Sequence, residues 1–408
     1  MKRHGAIFMD NDSDAKYIIG ALLGDAPPEG FHELRAKKGM LFSKLALLHY
    51  IDEEMRHGAT VLTRNTAQTL RTMSSGEQKK ALLAHILENG ADYMVLDNPF
   101  DNLDLSTQTE LKKRLAAIAQ HTLLIQLLSR TTDLLPFIRH FYRLDGRELI
   151  PIKSIAEISR RIKTFTGSIP PPLSQYSIKE NILIQLKNVS VSYFEKPILD
   201  RIDWTIKKGE FWELRGSNGS GKTTMLSMIT GENPKGYGQE LYIFGKLKGS
   251  GESIWDIKKR MGYFTPAMTD TFTGYHSIEH MLISGLNDSV GLYITPSEAQ
   301  LRLAKEWLAL IGLWERKDIL FHELGTGQKR LVMCARAMIK HPILLILDEP
   351  TAGLDDENAA LFVALVNKFA RESESAIVFV SHRSEPGLTP QYIYELIPGQ
   401  NGSIGKKQ

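Results

Sequence analysis

The chain has 408 residues, 42% hydrophobic and 24% charged, the profile of a folded globular protein rather than a disordered or fibrous one. Its 50 basic residues oppose 47 acidic ones and leave +3, too near neutrality to mark nucleic acid or an acidic membrane as the main partner. The single cysteine, Cys334, excludes a disulfide framework, and no apolar run approaches the roughly 18–20 residues of a membrane helix. With a start that turns acidic and polar at once, unlike a secretory signal, the chain is expected to be soluble and cytoplasmic, with about two to three domains.

In chain order, the first segment is MDNDSDAKYIIGALLGDAP, from Met9 to Pro27. SSGEQKK around Gly76, YMVLDNPFDNLD around Asp97 and the apolar run Leu123–Leu128, leading to Arg130, follow. A Pro-, Ser- and Gly-rich stretch from Thr164 to Tyr176, with extended Pro170-Pro171-Pro172, reads as a short semi-rigid linker. Beyond it, Leu183–Tyr193 and Phe211–Arg215 read as strands, the second entering a Gly-rich turn and the apolar helix Thr223–Thr230. A helix at Ser297–Ile311 precedes GTGQKR, around Gly327. Helix Asn358–Ala370 then lies between two continuous apolar runs, Ile343–Leu347 and Ile377–Val380, expected as strands buried on both faces. The class is α/β with a largely parallel sheet.

These segments repeat. GSNGSGKTTMLSMITGENP (Gly216 to Pro234) echoes the Met9 segment 207 residues away, Gly327 echoes Gly76 at 251, Asp348 echoes Asp97 at 251, and His382 echoes Arg130 at 252. The order is conserved between halves, so the chain holds two diverged copies of one domain. The second copy carries about 44 more residues between its first two motifs, among them Trp255 and the Asp256–Arg260 run, and the first copy lacks counterparts of roughly Ile182–Arg215. The expected division is a degenerate, N-terminally shortened domain at 1–163, a linker at 164–181, a complete domain at 182–400 and a tail at 401–408.

The chemistry concentrates in the second copy. Gly216-Ser217-Asn218-Gly219-Ser220-Gly221-Lys222-Thr223-Thr224 fits G-x-x-x-x-G-K-[ST] between a strand and a helix. Glycines there let backbone N–H groups turn around phosphate oxygens at the positive end of the helix, Lys222 is expected to reach the β- and γ-phosphates, and the Thr223 hydroxyl to bind Mg²⁺. Asp348 ends a buried strand, where a carboxylate needs a cation, and the Mg²⁺ supplies one. Glu349 follows, placed to accept a proton from an attacking water. His382 closes the next strand and can reach a γ-phosphate. Tyr193, 23 residues before Gly216, is either a platform for adenine or a core aromatic.

Together with the Ala352–Asp355 segment and a motif preceding each acidic strand, these residues resemble an ATP-binding cassette (ABC) ATPase, twice over. The tandem arrangement and Gly249–Pro266 resemble the molybdenum-transport or photorepair type. The resemblance implies two P-loop domains working as a head-to-tail pair within the chain, each ATP lying between the P-loop of one and the L-S-G-G-Q signature of the other. The first copy has Met73-Ser74-Ser75-Gly76-Glu77, a nucleotide-binding segment through Ser74, Gly76 and Glu77, with the Ser74 hydroxyl and the Gly76 N–H available to a γ-phosphate; the second has Gly325 in place of the serine. Ala15 stands where the lysine belongs, Asp12 and Asp14 where glycines belong, Asn98 for the glutamate and Arg130 for the histidine. All six departures, counting Gly325, would fall in one composite site and leave the other intact. One competent site binding ATP and Mg²⁺ is therefore expected, with Glu349, His382 and Lys222 catalytic.

The glutamine that couples such ATPases to a membrane subunit aligns with Pro266, which lacks the side chain. The leading reading is the energising subunit of a transporter, peripheral at the inner face of the membrane and paired with an integral permease; the second is a soluble ATP switch acting on a protein or nucleic acid. The remaining signals are bland. His276 and His280 are expected on a surface helix, Cys334 as a buried apolar residue, and Arg160, Arg161 and Lys163 on a solvated face, with no strong nucleic-acid signal.

Overall fold

The computed structural model describes residues 3–64, 68–158, 165–174, 179–272, 274–289 and 291–408. The chain divides into two compact units, Met1–Arg161 with Gly353–Glu357, and Ile162–Ala352 with Asn358–Gln408.

The first unit is built on a six-stranded sheet ordered Gly39–Phe42, Tyr93–Asp97, Leu123–Leu128, Gly5–Phe8, His140–Asp145, Glu148–Ile152. All neighbours are parallel except the last pair. Its central strands are largely apolar because both faces are covered, the buried Gln126 being held by donating to Asp133 O and accepting from Leu135 N–H. Phe8, Met94, Leu96 and Leu124 pack in one cluster, and Ile7, Val95, Ile125 and Leu127 in the other.

The second unit repeats the sheet with the same permutation: Met261–Phe264, Leu344–Asp348, Ala376–Val380, Phe211–Gly216, Tyr392–Ile397, Ile404–Lys407. The strand preceding each P-loop position lies fourth in both orders, so the first copy does have a counterpart of Phe211–Gly216, Gly5–Phe8, contrary to expectation, and the strand ending in Asp97 or Asp348 lies second. The second unit adds a four-stranded antiparallel sheet, ordered Lys246–Leu247, Glu240–Ile243, Ile182–Tyr193, Lys196–Lys207. Trp204 of this sheet stacks on Tyr394 at 4.8 Å and meets Trp212 edge-on at 5.7 Å, so the two sheets share one core.

Three further expectations need correction. Residues 401–408 are not a free tail: Ile404–Lys407 pairs antiparallel with Tyr392–Ile397 as the edge strand. The sequence GSIGKKQ lacks the apolar alternation that marks a strand; backbone hydrogen bonds hold it, with Lys407 lying 4.1 Å from the Tyr392 ring centroid. Part of the linker is docked within the second unit, where Ile169 N–H donates to Glu372 (2.8 Å) and His341 Nε2 lies 2.7 Å from the Pro170 carbonyl oxygen. Thr164, Gln175 and Tyr176 at its margins, and the basic Arg160, Arg161 and Lys163, lie outside the described residues. Of the histidine pair, only His280 is helical, in Ile278–Ile283; no metal-holding group of His, Cys, Asp and Glu occurs among the described residues. Cys334 is fully buried in helix Thr326–Met338, as its apolar character suggests. No helix among the described residues is long and apolar enough to cross a membrane.

Candidate functional site

Strand Phe211–Gly216 delivers the chain into the glycine loop, and helix Lys222–Ile229 leaves it. Gly221 is the helix N-cap with φ +93°, and a Cβ there would come within 2.6 Å of Leu199 Cδ2, so only glycine fits. Gly221 has no side chain with which to cap the first N–H groups of the helix. Asn218 and Gly219 are exposed, Ser217 half-buried, and the buried Ser220 hydroxyl has no hydrogen-bond partner. Lys222 Nζ donates to the carbonyls of Gly216 (2.7 Å) and Ser217 (3.1 Å), so its ammonium is folded over the loop it serves. Thr223 is exposed and Thr224 half-buried at the helix start. An uncapped helix N-terminus, a lysine held at its mouth and an orphaned hydroxyl suit a phosphate chain.

The corresponding turn in the first unit is chemically different. Helix Ala15–Leu23 is capped by Asp14, whose carboxylate accepts from Tyr17 N–H at 3.0 Å, and Ser13 Oγ donates to Asp10 at 2.8 Å. The chain's own carboxylate thus sits where a phosphate would bind, and Ala15 supplies no cation. The sequence foresees repulsion by Asp14; the capping bond adds that the helix N-terminus is already satisfied.

Strand Leu344–Asp348 places the acidic pair. Burial, with Glu349 beside it, pushes the Asp348 carboxyl up to about 6, a sign of a carboxylate lacking a full counter-charge. Glu349 adopts φ +48°, with its N–H donating to Val380 O at 3.1 Å. Asn98 takes φ +41° and donates to Leu127 O at 3.0 Å, so the two copies keep one backbone and differ in the side chain. His382 Nδ1 lies 3.3 Å from Glu349 Oε1, at ion-pair distance but out of hydrogen-bond alignment, and its buried ring nitrogens have no hydrogen-bond partner. The imidazole holds the Glu349 carboxyl below the ordinary carboxylate range, so the group is ionised at neutral pH. The asparagine Oδ1 of Asn98 is instead spent on Ser129 N–H (3.0 Å) and Oγ (3.1 Å), and Arg130 is buried.

Sequence reasoning missed Tyr263. Its hydroxyl donates to Asp348 Oδ2 at 3.5 Å from the adjacent strand Met261–Phe264, and only the register, Tyr263 beside Ile346, brings it there. Pro266 opens helix Pro266–Thr271 at its first turn, a position suited to a residue without N–H. Tyr193 is half-buried; Asn233 Nδ2 donates to its hydroxyl at 2.7 Å and to Ser227 Oγ at 3.1 Å, and Lys235 Nζ lies 5.5 Å from its ring centroid.

In the first unit, the Ser74 segment forms a capping box on helix Ser75–Glu88: Glu77 accepts from the Ser74 N–H (2.8 Å) and hydroxyl (2.7 Å), and the Ser74 oxygen caps Glu77 N–H. The S-x-x-E spacing carries that signal in the sequence. Ser74 and Glu77 are exposed and Gly76 half-buried. The second unit's Gly325 caps helix Thr326–Met338 without a side-chain bond.

Residues 199–352 match the ABC transporter family model. The chain is 36% identical over 331 residues to the ABC transporter ATP-binding protein ModF of Escherichia coli, covering 77% of this chain and 67% of that one. It is 29% identical over 366 residues to an uncharacterized ABC transporter ATP-binding protein of Schizosaccharomyces pombe, covering 86% and 74%. Among solved structures, the archaeal ribosome recycling factor aABCE1, in complex with the ribosomal stalk protein aP1, superposes with TM-score 0.62 at 16% identity, over 99% of this chain and 85% of that one. That likeness extends the fold match across both units. With similarity of this extent, the chain belongs to the ABC family of proteins, ATPases that bind ATP with Mg²⁺ and hydrolyse it.

Proposed function

We propose that the chain is a tandem ABC ATPase with one competent ATP site, completed by the P-loop and acidic strand of the second copy and the Ser74 signature of the first, and that it energises a membrane permease. The carrying observation is the contrast between two helix starts, one capped by Gly221 and open to phosphate, the other closed by the Asp14 carboxylate. In this reading Lys222 leaves its loop carbonyls for the phosphates, and the loop N–H groups bind their oxygens. Thr223 and Asp348 would hold Mg²⁺, which would screen the phosphate charge. Glu349 orients the attacking water and takes up its proton, and the His382 nitrogens receive their partner at the γ-phosphate. Tyr193 stacks on adenine.

The transport reading is supported by the similarity to ModF, an ABC transporter ATP-binding protein. Pro266 favours a second reading, a soluble switch acting on a protein or nucleic acid, because proline supplies no amide side chain to sense the site and couple it to a membrane subunit. The test is affinity purification from native cells of the Glu349→Gln chain held with ATP. A near-stoichiometric integral membrane protein supports transport; soluble partners alone, from a chain absent from membranes, support the switch.

A further inference from the structure

The turn between strands Ile182–Tyr193 and Lys196–Lys207 contradicts its own geometry. Tyr193 pairs with Lys196, leaving a two-residue loop, Phe194-Glu195, with both φ angles positive, at +45° and +63°. That is a type I′ hairpin, whose central positions call for Asn-Gly. A phenylalanine with positive φ is strained, and Phe194 recovers nothing through burial because it is 100% exposed. Neither turn chemistry nor packing explains an aromatic ring here, and strain of this kind persists where a site uses it.

The hairpin is fixed to the P-loop on both strands. On one, the Tyr193 hydroxyl reaches Ser227 of helix Lys222–Ile229 through Asn233. On the other, Ile198 and Leu199 lie where a Cβ on Gly221 would meet them, at 3.0 and 2.6 Å. Phe194 therefore tops an anchored hairpin next to Tyr193, the residue proposed above to stack on adenine, with its apolar ring in water. We propose that Phe194 is a second nucleobase-contacting ring, covering the base carried by Tyr193 and selecting a nucleotide over a bare polyphosphate. This rests on the ATP-binding reading of the P-loop given above.

The experiment compares ATP and inorganic triphosphate binding, with Mg²⁺, in the parent chain and in Phe194→Gly, Phe194→Asn and Phe194→Tyr. Relief of the turn should raise the melting temperature of the free glycine and asparagine variants. Their ATP Kd should rise about tenfold, the scale of one lost base–aromatic contact, with the triphosphate Kd unchanged and tyrosine restoring the parent value. ATP Kd values within twofold of the parent in both the glycine and asparagine variants overturn the inference, as does a lower melting temperature in both. A parent that binds ATP and triphosphate equally also overturns it while leaving the P-loop reading intact. A parent that binds neither refutes the P-loop reading itself.

Discussion

Replacing Asp348 by asparagine should stabilise the nucleotide-free, metal-free chain at pH 8. In the fold, burial and the neighbouring Glu349 move the carboxyl from its ordinary 3.8 up to about 6, against the opposing pull of Lys222 and the Tyr263 hydroxyl. A carboxyl raised in the folded state lends its full stability when protonated, below about pH 3.8, and loses it as pH rises through about 6. Above that, the ionised residue costs the fold up to about 3 kcal/mol, at 1.36 kcal/mol per pKa unit. Asparagine keeps the shape without the charge. For a unit of this size about 1 kcal/mol moves Tm by roughly 2–4 °C, so Asp348→Asn should melt up to about 6–12 °C higher at pH 8 in EDTA. The gap should shrink towards zero by about pH 4, where the parent is largely protonated. Adding MgATP should reverse the order, because the parent gains a bound metal and the variant does not. A gap that is absent at pH 8, or equal at pH 4 and pH 8, would refute the reasoning.

Three further outcomes follow from the site. Glu349→Gln should lower steady-state ATP hydrolysis by about 10²–10⁴-fold in a phosphate-release assay, while equilibrium binding of MgATP stays within a few-fold of the parent. Ser74→Arg should stop hydrolysis although it lies in the first copy; normal turnover at low protein concentration would rule out the intrachain composite site. Asp14→Ala should destabilise the first unit by about 1 kcal/mol, read by chemical denaturation, through loss of the helix cap. Combined with Ala15→Lys, it should still give no second bound ATP, since Asp12, Asn98, Arg130 and Gly325 remain.

The duplicated sheet and the P-loop site were legible because their signals are local. Gly216–Thr224, Asp348-Glu349 and the apolar runs of the buried strands each announce themselves within ten residues, and the repeat offsets order them. What was not legible depends on register or on partners far along the chain. Tyr263 reaches Asp348 only because strand Met261–Phe264 pairs with Leu344–Asp348 at one register. The Ile404–Lys407 strand is specified by its partner's backbone rather than by its own pattern. The docking of Ile169 and Pro170 depends on Glu372 and His341, about 170 to 200 residues away in sequence. Asp14 shows an intermediate case: its charge leads to the expectation that phosphate is repelled, whereas its capping bond emerged only from the helix boundary.

The central claim is a single competent site, and the number of nucleotides held per chain tests it most directly. Native mass spectrometry of the Glu349→Gln chain with saturating MgATP should find one ATP per chain, with none bound after a further Lys222→Ala substitution. Two nucleotides per chain, or one that survives loss of Lys222, would contradict the account.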